Sequence, residues 1–397
     1  MKIKLAVLFG GKSTEHEISI ISAIQAIGYL NKETYEVIPI YLSKSNELYV
    51  GEDIGKIEEY RNIDSLVKKS QRVILVNDSG KTKIVKYPFK PFSKNEINNI
   101  DILFPIVHGV NVEDGNLQGY LNTLDIPYVG CDVVSSAVGM DKYFMKAVLK
   151  DNGIPVLEGK RYHEKDYYDN SERLMESIKN HFKFPLIVKP NNQGSSIGIS
   201  KAADDAELAD ALELAFSYSD KIIIEPFIEN LQEINCSVIG DDSHAEASEC
   251  EEPINTDVIL SYKDKYISGG KSKSVSGKGM SSLQRKIPAE ISEETKNAIR
   301  EMAVKAFQCL GCNGISRIDF MIDKSNGTIY LNEINTMPGS LAFYLWEPCG
   351  LSFPDLLDKV IGLALKRQRE KERIIYSFES NVLSGAVLSN NKGAKKV

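Results

Sequence analysis

The chain has 397 residues, 42% of them hydrophobic and 26% charged, with a net charge of −7. At about 150 residues per domain this length allows roughly two or three domains, and the composition is that of an ordinary soluble globular protein. The acidic balance lacks the basic footprint of a nucleic-acid binder and points to small-molecule partners. No apolar run approaches the ~20 residues of a bilayer-spanning helix, so no membrane partner is expected. Among the six cysteines only Cys309 and Cys312 have CxxC spacing. They lack a second ligand pair for zinc and follow a helical pattern rather than a strand, so free thiols and a reducing cytoplasm are expected.

The opening "KIKLAVLFGG" is rich in strand formers, and Ile20, Ile24 and Ile27 then recur at helical spacing. This predicts a strand, a glycine turn and a helix from Ser13 onward. "YEVIPIYLS" and "IDILFPIVHG" read as further strands of the same sheet. Residues 51–99 are polar and hold a hairpin over "RVILVNDSGKTKIVKY", placed as a peripheral elaboration. A helix over 141–152, with Phe144, Val148 and Leu149 on one face and a stop at Gly153 and Pro155, opens a second unit. That unit has the strand "FPLIVKP", the loop "NNQGSSIG", a helix over "DDAELADALELAFSYS" and the strand "KIIIEPFI". A third unit brings the strand "EINCSVIGD", an irregular stretch over 255–285, a helix over "EETKNAIREMAVKAFQCLG" and the hairpin "ISRIDFMIDKSNGTIYLNEIN". The helix "FPDLLDKVIGLALKRQREKER" closes it.

The hairpin is the strongest chemical signal. A three-residue loop of Ser325, Asn326 and Gly327 sets Asp319 across from Glu333, and the two-residue period puts Asn335 on the same face. Two carboxylates and an amide then converge, a donor set that suits Mg²⁺ with substrate phosphates. A solvated hairpin face with its charges paired to Lys and Arg fits equally from the hairpin alone. Lys189 ends an apolar strand beside a loop holding Gly194, Ser195, Ser196 and Gly198, which reads either as a phosphate site or as an ordinary strand exit.

"FGGKST" is not a P-loop, because Ala6 stands where its first glycine belongs, and "GGKSTE" lacks the GxGxxG of a dinucleotide oxidoreductase. Glu15 and Glu17 favour the first turn of a helix whatever their role. The low-complexity stretch Gly269 to Ser282 follows Lys265 and Tyr266 and reads as a lid or as a linker. His108 ends a strand before a polar loop, as a structural hydrogen-bonder or as a catalyst.

Taken in order, "VLFGGKSTEHEIS", "HGVNVEDGNLQGYL", "DIPYVGCD", "MDK", "VKPNNQGSSIGIS", "SRIDF" and "NEINTMPG" resemble the D-alanine:D-alanine ligase family of the ATP-grasp fold over nearly the whole chain. The resemblance implies an α/β (α+β) chain with a Rossmann-like N-terminal domain over 1–130, a central ATP-grasp domain over 131–225, and a C-terminal domain over 226–397 with a lid near 261–285. It implies ATP and two Mg²⁺ ions, or Mn²⁺, as cofactors, D-alanine as substrate, a homodimer, and a product used for peptidoglycan. By position, Asp319, Glu333 and Asn335 resemble the metal ligands. Lys142 and Lys189, with Ser195 and Ser196, resemble the phosphate-holding residues. Glu225, Pro226, Phe227 and Ile228 resemble the hinge at adenine, and Glu233 the ribose carboxylate.

Glu15 and His108 resemble the donor-binding residues, and Ser195 and Tyr266 would join Glu15 in closing the Lys265 loop. Arg317 and the Gly339 N–H would hold an oxyanion, at ~3 kcal/mol per donor. Beyond the Pro-Gly the family carries a serine and then Met or Leu at the second substrate. Here Tyr344 and Leu345 stand in those places. The pair Lys265-Tyr266 resembles the branch that uses D-alanine as acceptor. D-Serine, D-lactate or another amino acid, and a non-catalytic nucleotide-binding role, are the alternatives.

Overall fold

The computed structural model describes residues 2–254 and 285–377; Lys265, Tyr266 and the low-complexity stretch after them lie outside these. Among the described residues, the first of three sheets holds β1 (Ile3–Gly10), β2 (Tyr35–Leu42), β3 (Leu48–Val50), β4 (Gln71–Asp78), β5 (Lys81–Lys86), β6 (Glu96–Ile100) and β7 (Ile102–Pro105), in the order β6-β5-β4-β3-β2-β1-β7. β1 runs parallel to β2 and β7, and Leu5 to Phe9 are buried, as a strand covered on both faces requires. The hairpin β4–β5 continues this sheet in antiparallel fashion toward its β6 edge, a peripheral place as expected. Gly10 and Gly11 have φ of +98° and +99°, and a Cβ on Gly10 would lie 2.3 Å from the Leu42 carbonyl oxygen. Only glycine lets the chain leave β1 this close to its neighbour.

The second sheet is antiparallel, with β8 (Lys160–His163), β9 (Leu186–Pro190), β10 (Ser200–Ala202) and β11 (Lys221–Pro226) in the order β10-β9-β11-β8. The third holds β12 (Leu231–Gly240), β13 (Ala245–Pro253), β14 (Arg285–Lys286), β15 (Gly314–Asp323) and β16 (Thr328–Asn335), in the order β14-β13-β12-β15-β16.

The period of two decides what the third sheet does. Ile234, Cys236, Val238, Ile318 and Phe320 are buried in one cluster with Ile299, Ala303, Ala306 and Phe307 of the helix Glu293–Cys309, whose i, i+4, i+7, i+8 spacing makes one apolar face. The alternate residues carry the polar face. Asn235 pairs with Glu251 on one side and Asp319 on the other, and Asp319 pairs with Glu333. Directly opposed residues share a face, so Glu251, Asn235, Asp319 and Glu333 form a polar row from β13 to β16.

The Asp319–Glu333 pairing arises by a different route from the one expected. Asp323 lies opposite Thr328, so Lys324 to Gly327 make a longer turn than Ser325 to Gly327 would. Phe320 then faces Leu331 while Asp319 faces Glu333, which leaves Asn332 as the extra residue of a β-bulge. Leu331 stays in the core, and both Asn332 and Glu333 line the cavity.

Candidate active site

One cavity covers the polar face of the third sheet, meets the second sheet at Ile187 and Lys189, and is also lined by Glu15, His108 and Glu113. At its second-sheet corner, Lys189 donates to Glu225 at 2.7 Å and to Asn332 at 3.3 Å. Lys146, one helical turn after Lys142, takes the other Glu225 oxygen at 2.5 Å. Lys142 donates to the Gln193 carbonyl at 2.9 Å and pairs with Glu333 at 3.2 Å.

Three lysines thus gather around two carboxylates, an excess of positive charge suited to an anion such as phosphate. Burial would raise the Glu225 carboxyl, but Lys146 and Lys189 outweigh it and hold it down to about 2. Burial lowers the Lys146 ammonium, with Glu225 opposing that shift. Glu225 therefore spends its carboxylate on the lysines, and Pro226, Phe227 and Ile228 continue the wall beyond it. The Phe227 N–H donates to the Pro185 carbonyl at 3.1 Å, and the Lys201 ammonium is 4.2 Å from its ring centroid. Glu233 and Ser196 line the same cavity.

In the middle of the polar face, Arg317 grips Asp319 through two bonds of 2.7 Å, from Nε and from its second terminal nitrogen. Burial works against the charge of this guanidinium, but Asp319 outweighs it and keeps it protonated. Asn335, opposite Arg317, donates from Nδ2 to Asp319 at 3.2 Å and to the Arg317 carbonyl at 3.4 Å. Its Oδ1 is then the atom left to face a cation. Asp319, Glu333 and Asn335 together offer hard oxygens of the number Mg²⁺ takes beside phosphates, so the donor set fits that ion.

Ser195, on the wall of the same cavity, donates to Glu15. Ser195 and Ser196 have φ of 53° and 58°, a left-handed turn that non-glycine residues adopt at a cost and that clusters at functional sites. His108 is buried, with Nδ1 2.8 Å from the Met337 carbonyl and Nε2 3.1 Å from Ser22 Oγ. A carbonyl only accepts, so Nδ1 carries the proton and Nε2 accepts from Ser22. Burial pushes this imidazole down to about 4, so it is neutral near pH 7 and ties the loop after β7 to the "MPG" loop without a charge of its own. Gly339 lines the cavity beside these groups.

Residues 4–131 match the family model described as D-ala D-ala ligase N-terminus, and residues 148–362 match D-ala D-ala ligase C-terminus. The chain belongs to the D-alanine–D-alanine ligase family. It is 40% identical to a D-alanine–D-alanine ligase of Acetivibrio thermocellus, covering 93% of this chain and 97% of the relative. Among solved structures it resembles the VanG D-Ala:D-Ser ligase of Enterococcus faecalis, with a TM-score of 0.75 and 32% identity over 92% of this chain and 100% of that one. It also resembles the D-alanine–D-alanine ligase of Bacillus anthracis complexed with ATP, with a TM-score of 0.62 and 25% identity over 94% and 99% of the two chains. The fold is the ATP-grasp fold of this ATP-dependent ligase family.

The family resemblance set Tyr344 and Leu345 against the acceptor; both side chains pack in the core. Neither lines the cavity. Leu345 is in the core with Leu341 and Trp346. Tyr344 lies beneath Arg285 and donates its hydroxyl to Glu251 at 3.2 Å. Trp346 is likewise structural, donating from its indole to Ser237 Oγ at 3.0 Å. Residues outside the family reading also contribute. Asn332 was hidden by the bulge, whereas Lys146 was legible at i+4 from Lys142.

Glu113, within the quoted "HGVNVEDG", is the third such residue. Its Oε1 accepts from the Met337 N–H at 3.0 Å and Thr336 Oγ1 at 3.2 Å, and its Oε2 from the Gly109 N–H at 2.9 Å. Burial pushes this carboxyl from 4.5 up to about 8, and the charge of Glu15 adds to the shift. The native state therefore binds the more protons between those two values. Its contribution to stability is complete below the lower value and is lost as pH rises through about 8. Glu113→Gln cannot ionise, so its melting temperature is expected to fall less than that of the wild type between pH 7 and 9. Parallel falls in the two proteins would remove Glu113 as the titrating group.

Proposed function

We propose that the chain joins two molecules of D-alanine at the expense of ATP, in the cytoplasm, to supply a dipeptide for peptidoglycan. The observation that carries this reading is that one cavity brings together the lysine cluster with Glu333, Arg317 with Gly339, and the Glu15–Ser195 pair with His108.

In this reading Lys142 and Lys189 hold the ATP phosphates, with Pro226 to Ile228 against the base and Glu233 at the ribose. Asp319, Glu333 and Asn335 would hold Mg²⁺, which when bound neutralises phosphate charge and aligns the γ-phosphoryl group. Glu15, buttressed by Ser195, fixes the ammonium of the donor. The donor carboxylate, a poor electrophile, takes the γ-phosphoryl group to become an acyl phosphate. The acceptor amine then attacks the acyl carbon, and inorganic phosphate leaves. The oxyanion of that step meets Arg317, already oriented by its two bonds to Asp319, and the Gly339 N–H. Donors fixed in advance need no reorganisation as charge develops.

The expected result with Mg²⁺, ATP and D-alanine alone is stoichiometric D-alanyl-D-alanine, ADP and phosphate, read by mass spectrometry. ADP without dipeptide would keep the first half-reaction and replace the acceptor, D-serine being the first to try given the likeness to a D-Ala:D-Ser ligase. No ADP would end the reading. The family resemblance also supports a homodimer, which a monomer mass in sedimentation equilibrium would remove.

A further inference from the structure

We infer that Arg285 holds the carboxylate of the acceptor and selects for it, with Glu251 and Tyr344 as its positioning residues; the inference rests on the ligase reading above. Arg285 lines the cavity on the edge strand β14, paired opposite Pro253 and on the same face as Glu251. Its guanidinium donates to Glu251 Oε2 at 2.8 Å, and its Cζ is 3.9 Å from the centroid of the Tyr344 ring. Glu251 Oε1 accepts from Asn235 at 3.0 Å and from the Tyr344 hydroxyl at 3.2 Å. The carboxylate is thus fixed from three sides, and one of them is the ring that carries Arg285.

A surface ion pair needs no such mount. The guanidinium is stacked, oriented and directed at the cavity, which suits a planar fork meeting a carboxylate. The run Ser340, Leu341 and Ala342, with φ of 51°, 54° and 47°, is a left-handed turn that each residue adopts at a cost. It sets Tyr344 below Arg285, with Leu341, Ala342 and Tyr344 packed in the core.

Position along the polar face agrees. Arg317 on β15 is engaged by Asp319 and serves the reacting carbonyl. An amino acid whose amine attacks there extends its carboxylate away from Glu333, roughly one strand spacing of 5 Å over β12, toward Glu251 on β13 and the Arg285 guanidinium that reaches back to it from β14. The family's serine position is filled by a tyrosine that does not reach the cavity, and the arginine resting on that ring reaches it instead.

The test is a competition between D-alanine and D-alaninamide as acceptors, with D-alanine as donor and the products separated by mass. The wild type is expected to favour the acid, and Arg285→Gln to lower the ratio of dipeptide to dipeptide amide at least about 30-fold, the loss of a paired charge. Arg285→Lys keeps the charge without the fork and is expected to fall between them; it also serves if the glutamine variant does not fold. Tyr344→Leu, which removes the platform, is expected to lower the ratio too. An unchanged ratio in the arginine variants, however far the total rate falls, would make Arg285 merely structural and overturn the inference. A wild type that forms no dipeptide would overturn the ligase reading and this inference with it.

Discussion

Glu333→Ala is expected to lower ATP turnover at least about a hundredfold, because it removes an acidic donor at the phosphate end of the cavity and unbalances Lys142 at the same time. Among the described residues the side chain pairs with Lys142 at 3.2 Å and lies opposite Asp319. Glu333→Gln separates the two contributions, since it keeps the shape and loses the charge. Both variants are expected to keep the wild-type melting temperature within a few degrees, because a carboxylate still 25% exposed at a cavity contributes little to folding. The measurement is ADP release against Mg²⁺ concentration. Turnover within about twofold of wild type at every concentration would exclude Glu333 as a ligand. Asp319→Asn is the harsher neighbour, since it also releases the bidentate grip on Arg317.

How the sequence specified this site is instructive at the same hairpin. Alternation placed Asp319, Glu333 and Asn335 on one face, which the structure agrees with, but through two compensating departures. The turn is a residue longer than "SNG" suggests, and the bulge at Asn332 restores the pairing. Counting along the chain cannot register a bulge, whose cause is that Leu331 and Ile334 both belong to the core. The helix Lys142–Asp151 shows the opposite failure. Its apolar face was expected at Phe144, Val148 and Leu149, yet Phe144 is exposed, with the Arg161 guanidinium 4.9 Å from its ring centroid. The buried face is Lys142, Met145, Lys146 and Leu149. Leu149 and Val148 do pack against the core as expected, but a face that borders a charged cavity also buries lysines, which hydropathy misses. Tyr344 is a third case: its place in the chain was legible, but its partners Arg285 and Glu251 lie far away in sequence.

Glu225→Gln is expected to cost on the order of 3–5 kcal/mol of folding stability, the usual consequence of leaving buried charges without their partner. The carboxylate is 1% exposed and serves two ammonium groups, Lys146 at 2.5 Å and Lys189 at 2.7 Å. With a neutral amide in its place, two cations face each other across the corner where β9, β11 and the helix Lys142–Asp151 meet. Lys189 keeps Asn332 at 3.3 Å, and Lys146 keeps only the Leu157 carbonyl at 3.3 Å among the bonds described. Lys146 is therefore the costlier survivor, and Lys146→Met added to Glu225→Gln is expected to recover part of the loss, a coupling the two single changes would not predict by addition. Thermal or urea unfolding followed by fluorescence measures both. A Glu225→Gln protein that melts within about a degree of the wild type would mean that water reaches the lysines and screens them. A double variant no more stable than the glutamine variant would mean that the lost bonds, rather than the stranded charge, set the cost.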